Sequence, residues 1–202
     1  MFDSALRRRI DPSLDRLARK AQAAGLSPDQ VSWIGFGLGF LAIVAIASGS
    51  EFWGLLLFGA NRLCDGVDGS LARLGQPTDR GAYLDIVLDF LFYAGFVFAW
   101  AVARPEDAVA AAFLIFSFVG TGTTFLAHAI MAAKRHLPET AASKKGFAHL
   151  GGLTEGGETI AVFVLMLLFP AAFPALAWIF GTLCWLTTAS RMQATLRSLP
   201  AR

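Results

Sequence analysis

Four aspartates lie close together in a chain that is otherwise strongly apolar, namely Asp65, Asp68, Asp85 and Asp89. Apolar runs flank the group on both sides. A charged side chain near the centre of a membrane costs about 2.5–3.5 kcal/mol on insertion scales, unless it lines a polar cavity or binds a cation. Carboxylate oxygens are hard ligands that suit Mg²⁺ or Mn²⁺ better than zinc. The four residues therefore predict a polar, cation-binding cavity.

The spacing of the aspartates predicts that they converge. On a helix with about 3.6 residues per turn, Asp65 and Asp68 share one face, and Asp85 and Asp89 share another. The stretch between the two pairs contains a tight turn, so the two helices are antiparallel neighbours whose aspartates meet if they face inward. Converging carboxylates repel one another unless divalent cations neutralise them. We therefore expect a divalent metal site where the two helices meet.

A stripe of small residues continues the face that carries Asp65 and Asp68. Gly69 and Ala72 follow at helical spacing, with Arg73 one position further on. Small residues let a ligand approach the backbone closely, and a guanidinium group can grip phosphate oxygens in a bidentate fork. The combination predicts a diphosphate-binding surface.

The composition is that of a membrane protein. Of 202 residues, 55% are hydrophobic and only 16% are charged, whereas a soluble domain carries about 25% charged residues. A helix needs roughly 20 predominantly apolar residues to span a bilayer. We predict an all-α integral membrane protein with six transmembrane helices, at residues 29–50, 52–73, 80–103, 107–133, 156–173 and 175–195.

The N-terminal segment, residues 1–28, predicts an amphipathic helix on the membrane surface. It lacks the apolar stretch of a signal peptide, and basic residues that suit anionic headgroups lie opposite its apolar side. A solvated charged tail is the alternative. The apolar side of the predicted helix holds Leu6, Ile10, Leu14, Leu17 and Ala21.

The positive charges predict the orientation, because Lys and Arg accumulate on the cytoplasmic side of short loops. With the N-terminus inside and six spans, most of the 17 Lys and Arg lie in cytoplasmic segments or at membrane ends, and Arg104 is an exception. We therefore expect both termini, and the cavity that the aspartates line, to face the cytoplasm.

The sequence from Asp65 to Asp89 resembles the signature of the CDP-alcohol phosphotransferase family. That signature is Asp-x-x-Asp-Gly-x-x-Ala-Arg followed by Gly-x-x-x-Asp-x-x-x-Asp. The segments "DGVDGSLAR" and "GAYLDIVLD" meet every fixed position. Two features differ: the spacer between Arg73 and Gly81 is one residue shorter than is common, and Phe90 stands where many makers of glycerophosphate-headed lipids have a cation. The segment "GGLTEGGET" resembles a little-described bacterial branch of the family.

The resemblance implies a metal-dependent transferase of phospholipid synthesis. Such enzymes move a phosphatidyl, or phospho-alcohol, group from a CDP-alcohol such as CDP-diacylglycerol to the hydroxyl of a small polar acceptor, and they release CMP. Two ions, Mg²⁺ or Mn²⁺, are implied. By position, Asp89 is the general base, the metal ligands are Asp65, Asp68, Asp85 and Asp89, and the CDP-alcohol contacts are Asp65, Asp68, Gly69, Ala72, Arg73, Thr78 and Gly81.

The resemblance extends over essentially the whole chain and implies its setting. We expect a multi-pass protein of the bacterial inner membrane that contacts membrane lipids, forms a homodimer and binds no nucleic acid. The expected organisation is a cytoplasmic juxtamembrane helix at 1–28, a six-span transferase domain at 29–195 and a cytoplasmic tail at 196–202.

Charged residues of the predicted second cytoplasmic loop are candidates for binding the acceptor. Arg135, Lys144 and Lys145 could recognise a phosphorylated alcohol such as glycerol 3-phosphate or an inositol phosphate, or they could simply mark the loop as cytoplasmic. Glu155 and Glu158, spaced i, i+3, could pair with a cation or accept hydrogen bonds from hydroxyl groups.

Two other functions also account for membrane aspartates. A UbiA-like prenyltransferase uses aspartates and Mg²⁺ on a diphosphate, but such chains have more spans and a second Asp-rich motif, which this sequence lacks. A cation transporter could line its path with aspartates, but it would leave Ala72, Arg73 and the spacing of Gly81, Asp85 and Asp89 unexplained.

Overall fold

A computed structural model describes residues 2–134, 154 and 156–198, with side chains from residue 11 onward. Every regular element in that part of the chain is helical. The chain forms two compact units, Met1–Glu106 and Asp107–Arg202. The helices are α1 (Phe2–Ala23), α2 (Pro28–Ala47), α3 (Glu51–Leu74), α4 (Asp79–Ala103), α5 (Ala108–Lys134), α6 (Gly156–Leu168) and α7 (Phe173–Ser198), with 3₁₀ turns at Pro105–Asp107 and Pro170–Ala172.

The all-helical class is confirmed, but the prediction of six spans was wrong: among the described residues, four helices are long and apolar enough to cross a membrane. These are α2, α4, α5 and α7. The second predicted span coincides with α3, which carries Arg62, Asp65, Asp68 and Arg73 among its apolar residues. The fifth coincides with α6, whose 13 residues reach about 20 Å, short of a hydrocarbon core of about 30 Å.

Helix α1 packs against α3 within the first unit. Leu14, Ala18 and Ala21 belong to one apolar cluster with Val67 and Leu71. Two residues of the predicted membrane-facing side, Leu14 and Ala21, therefore contact the protein, because the same apolar side also covers α3. That α1 lies on a membrane surface stays a prediction.

Helix α2 begins with a reciprocal N-terminal cap. Ser27 is the N-cap, and its hydroxyl accepts a hydrogen bond from the Gln30 backbone N–H while the Gln30 side chain accepts one from the Ser27 N–H. Pro28 occupies the first turn, where its missing N–H leaves no bond unmade. This reciprocal cap fixes the end of α2 that lies closest in sequence to Ser32, a residue of the site.

Two glycines of α2 let α3 and α4 approach closely. A Cβ atom added at Gly35 would lie 2.8 Å from Cys64 Cβ, and one added at Gly39 would lie 2.7 Å from the Phe92 ring. Asn61, buried between them, donates a hydrogen bond of 2.8 Å from Nδ2 to the Gly35 carbonyl. The close approach brings the polar faces of α2, α3 and α4 into one pocket.

The second unit has its own packed interior. A Cβ added at Gly181 of α7 would lie 2.7 Å from the Phe113 ring of α5. Its buried hydroxyl groups bond within the unit: Ser117 donates to the Leu114 carbonyl at 2.7 Å, and Thr154 donates to Thr187 at 3.1 Å. Small residues and satisfied hydroxyls are typical of helix packing in membranes.

Candidate active site

The candidate site is a pocket within the first unit, between α2, α3 and α4. Two parts of the predicted pattern meet there, the pair of aspartates on α3 and the pair on α4. The pocket is lined by Ser32, Gly35, Phe36, Asn61, Arg62, Asp65, Asp68, Asp85, Leu88 and Asp89.

Three of the four aspartates form one group. Asp65, Asp85 and Asp89 each offer a carboxylate oxygen, and the three oxygens lie within 4.8 Å of one another. Three hard oxygen donors gathered in one place suit a divalent cation such as Mg²⁺ or Mn²⁺. The donor set therefore fits the metal that the sequence predicts. We call Asp65, Asp85 and Asp89 the aspartate triad.

Asp68 lines the same pocket but has a different partner. Its carboxylate accepts a hydrogen bond of 2.6 Å from the Ser32 hydroxyl of α2, and its side chain is buried. The structure thus separates Asp68 from the aspartate triad, although the helical spacing of Asp65 and Asp68 gives both the same face.

An arginine that the sequence analysis did not single out stands beside the triad. Arg62 Nη2 lies 3.0 Å from Asp89 Oδ1, and Nη1 lies 3.6 Å from Asp65 Oδ2. Its signal was present, because an ionisable residue in an apolar helix is a candidate for function by default. It was missed because Arg62 was counted among the cytoplasmic positive charges.

The proposed CDP-alcohol contacts lie on the next turns of α3. Arg73 Nη2 donates a hydrogen bond of 2.7 Å to the Ser70 hydroxyl, and a Cβ added at Gly69 would lie 3.5 Å from Arg73 Nη1. Arg73 is exposed and Ala72 is half-buried. The guanidinium group therefore lies over Gly69 while remaining exposed itself, so that a ligand can reach the guanidinium group.

Thr78 and Gly81 form the start of α4. The Thr78 hydroxyl oxygen accepts a hydrogen bond of 3.1 Å from the Gly81 backbone N–H, which makes Thr78 the N-cap. Arg80, next to them, pairs with Asp29 of α2 at 2.9 Å. Thr78 thus has a structural partner whether or not it also contacts a nucleotide.

The proposed acceptor residues fall mostly outside the described part of the chain. Arg135, Lys144, Lys145 and Glu155 are not among the described residues. Glu158 lies in the first turn of α6, in the second unit, and is half-buried. Their role in binding an acceptor stays a prediction.

A family model described as CDP-alcohol phosphatidyltransferase matches residues 26–190. The chain is similar to the inner membrane protein YnjF of Escherichia coli (strain K12), with 47% identity over 203 residues and 98% of each chain covered. It is also similar to the archaetidylinositol phosphate synthase of Pyrococcus horikoshii, with 24% identity over 197 residues and 97% of each chain covered.

The fold is similar to that of a solved structure, Mycobacterium tuberculosis phosphatidylinositol phosphate synthase (PgsA1) with CDP-DAG bound. The TM-score is 0.67 at 22% sequence identity, and the likeness covers 90% of this chain and 92% of that chain. At this level of sequence identity, the comparison supports similarity of the fold alone.

Proposed function

Because the chain belongs to the CDP-alcohol phosphatidyltransferase family, a class of transferases, we propose that it moves a phosphatidyl group from CDP-diacylglycerol to a polar alcohol and releases CMP. The observation that carries the proposal is the aspartate triad, whose three oxygens lie within 4.8 Å of one another. Asp65 of the triad lies on the face of α3 that continues to Gly69, with Arg73 beyond it. Metal ligands and a phosphate-binding arginine on one surface suit a diphosphate substrate.

The triad and Asp68 are the proposed ligands of two divalent cations, Mg²⁺ or Mn²⁺. When bound, such ions polarise a diphosphate and stabilise both the attacking and the leaving oxygen of a displacement. The chain supplies the carboxylates that hold them. Of these carboxylates, Asp68 already accepts a hydrogen bond of 2.6 Å from Ser32.

The diphosphate is proposed to lie along the stripe formed by Gly69, Ala72 and Arg73. Gly69 and Ala72 add little bulk to this surface, and Arg73, which lies over Gly69, can bond phosphate oxygens through charge-assisted hydrogen bonds. Thr78 and Gly81, at the start of α4, are the further proposed contacts of the CDP group.

Asp89 is proposed to be the general base. Its carboxylate takes the proton of the acceptor hydroxyl, and the acceptor oxygen forms a bond to the lipid-side phosphorus. The bond between that phosphorus and the bridging oxygen breaks, and the oxygen leaves with CMP. A positioned base contributes about 10²–10⁴-fold.

The acceptor is proposed to be a phosphorylated polar alcohol. Two of the similar proteins are named as synthases of inositol phosphate lipids, which puts an inositol phosphate first among the candidates and glycerol 3-phosphate second. Arg135, Lys144 and Lys145 are the proposed contacts of the acceptor phosphate, and Glu155 and Glu158 those of its hydroxyl groups.

The proposed setting is the bacterial inner membrane. Four apolar helices and the name of the YnjF relative support a multi-pass protein of that membrane. Both termini and the site are proposed to face the cytoplasm, and the protein is proposed to form a homodimer. The family match argues against a prenyltransferase or a cation transporter.

An acceptor panel tests the function. Purified protein is incubated with CDP-diacylglycerol, Mg²⁺ or Mn²⁺ and one alcohol at a time, including an inositol phosphate, glycerol 3-phosphate, inositol and serine. We expect CMP release with one phosphorylated alcohol and none with excess EDTA. Release of pyrophosphate from a prenyl diphosphate, or metal flux into vesicles without nucleotide, would instead support the alternatives.

A further inference from the structure

Arg62 is a cation that the protein itself places in the acidic pocket. Its guanidinium group lies 3.0 Å from Asp89 and 3.6 Å from Asp65, and its side chain is only 11% exposed. A pair of this kind differs from a surface ion pair, because solvent screens it little. Arg62 therefore offsets part of the negative charge of the aspartate triad.

The guanidinium group is fixed on several sides. Its Nε donates a hydrogen bond of 2.8 Å to Asn61 Oδ1, and Asn61 is itself tied to the Gly35 carbonyl. Its Nη1 donates a hydrogen bond of 3.2 Å to the Tyr93 hydroxyl. Its Cζ atom lies 4.9 Å from the centroid of the Phe92 ring and 5.3 Å from that of the Tyr93 ring. The position is built by α2, α3 and α4 together.

We propose that Arg62 is an internal counter-ion that competes with the divalent cation for Asp65 and Asp89. This inference rests on the proposed metal site. Without a divalent cation, the triad places three carboxylates together, and Arg62 offsets part of their repulsion. With a cation on the same oxygens, the guanidinium group repels it, because like charges at short range in a partly buried site interact strongly.

The proposal predicts two effects of opposite sign. Removing the charge of Arg62 strengthens divalent-cation binding. It also lowers the stability of the metal-free protein. If Arg62 only held the carboxylates in place, its loss would lower both the metal affinity and the stability of the metal-free protein. The sign of the change in metal affinity therefore separates a counter-ion from a structural residue.

The experiment uses the full chain in detergent and a Mn²⁺ titration followed by the electron paramagnetic resonance signal of free Mn²⁺. Arg62→Gln removes the charge and Arg62→Lys keeps it. Arg104→Gln is the matched control, because Arg104 also pairs with a carboxylate, Glu51 at 3.7 Å, and also lies over a ring, that of Trp100 at 5.3 Å. Thermal unfolding is measured for each protein in EDTA and in Mn²⁺.

We expect Arg62→Gln to bind Mn²⁺ at least about ten-fold more tightly than the original protein. In EDTA, Arg62→Gln should unfold at a lower temperature than the original protein. Addition of Mn²⁺ should raise its unfolding temperature by more than it raises that of the original protein. Arg62→Lys and Arg104→Gln should keep the original Mn²⁺ affinity within about three-fold, a difference of less than about 1 kcal/mol.

Equal or weaker Mn²⁺ binding by Arg62→Gln, while the original protein binds the ion, would overturn this inference alone. No Mn²⁺ binding by the original protein would overturn the proposed metal site as well. If Arg62→Gln is folded only in Mn²⁺, the inference is supported. If it is unfolded in both Mn²⁺ and EDTA while Arg62→Lys is folded but binds Mn²⁺ much more tightly, a counter-ion role is excluded.

Discussion

Ser32 donates a hydrogen bond of 2.6 Å to Asp68 and so joins α2 to α3 across the wall of the pocket. The two residues are 36 positions apart in the chain. A short hydrogen bond from a hydroxyl group holds a carboxylate in one orientation. Ser32 therefore fixes the orientation of the Asp68 carboxylate.

Replacing Ser32 tests that bond. Ser32→Ala leaves a buried carboxylate without its hydroxyl donor, and hydrogen bonds to charged groups contribute about 1.5–3 kcal/mol. We expect a clear fall in the thermal unfolding temperature measured in detergent. Ser48→Ala is the control, because the Ser48 hydroxyl donates to the Ala45 carbonyl at the exposed end of α2. A fall of equal size in both variants would remove the special role of Ser32.

Asp89→Asn separates binding from chemistry. Asparagine keeps the size and one oxygen of the carboxylate, but it cannot take a proton. We expect CMP release to fall by at least about 10²-fold, while binding of CDP-diacylglycerol in Mg²⁺ changes by only a few fold. Rates come from CMP release and affinities from a lipid-binding titration. Near-normal turnover would assign the base to another group, with Glu155 and Glu158 as the next candidates.

Arg73→Ala should weaken binding of the CDP-lipid. A guanidinium group on a diphosphate contributes about 1.5–3 kcal/mol for each charge-assisted hydrogen bond, which corresponds to roughly ten-fold or more in affinity. Arg104→Ala controls for the loss of an arginine, because Arg104 follows the last residue of α4, at the opposite end from Asp79 and the site. Unchanged affinity for CDP-diacylglycerol in Arg73→Ala would exclude Arg73 from the binding surface.

Thr78 has a structural role that can be measured by itself. Its hydroxyl caps α4 through the Gly81 N–H at 3.1 Å, and loss of such a cap costs about 1 kcal/mol. We expect Thr78→Ala to lower the unfolding temperature and Thr78→Ser to retain it, since serine caps equally well. The two variants having equal stability would contradict the capping role.

Local spacing predicted most of the candidate site. The distances i, i+3 and i, i+4 placed the aspartates on inner faces, and the tight turn between α3 and α4 made the helices neighbours. The close approach of Asp65, Asp85 and Asp89 follows from these two facts. The all-helical class was equally predictable, because helix formation depends on residues close in sequence.

Contacts between distant residues could not be predicted in the same way. The separation of Asp68 from the triad depends on Ser32 of another helix, and no local pattern links the two residues. Arg62 joins Asp89 across α3 and α4, so that its role appears only when the helices are packed. The six predicted spans failed where charge and helix length mattered more than average composition, in α3 and in α6.

The most direct test of the proposed transfer follows the lipid-side phosphorus of CDP-diacylglycerol. The substrate is labelled with ³²P at that phosphate alone and incubated with the purified protein, Mg²⁺ or Mn²⁺ and the acceptor that releases CMP. We expect all of the transferred label to appear in the new phospholipid, with one unlabelled CMP released for each lipid formed. Label recovered in phosphatidic acid, with the unlabelled cytidine phosphate joined to the acceptor, would contradict attack on the lipid-side phosphorus and with it the proposed function.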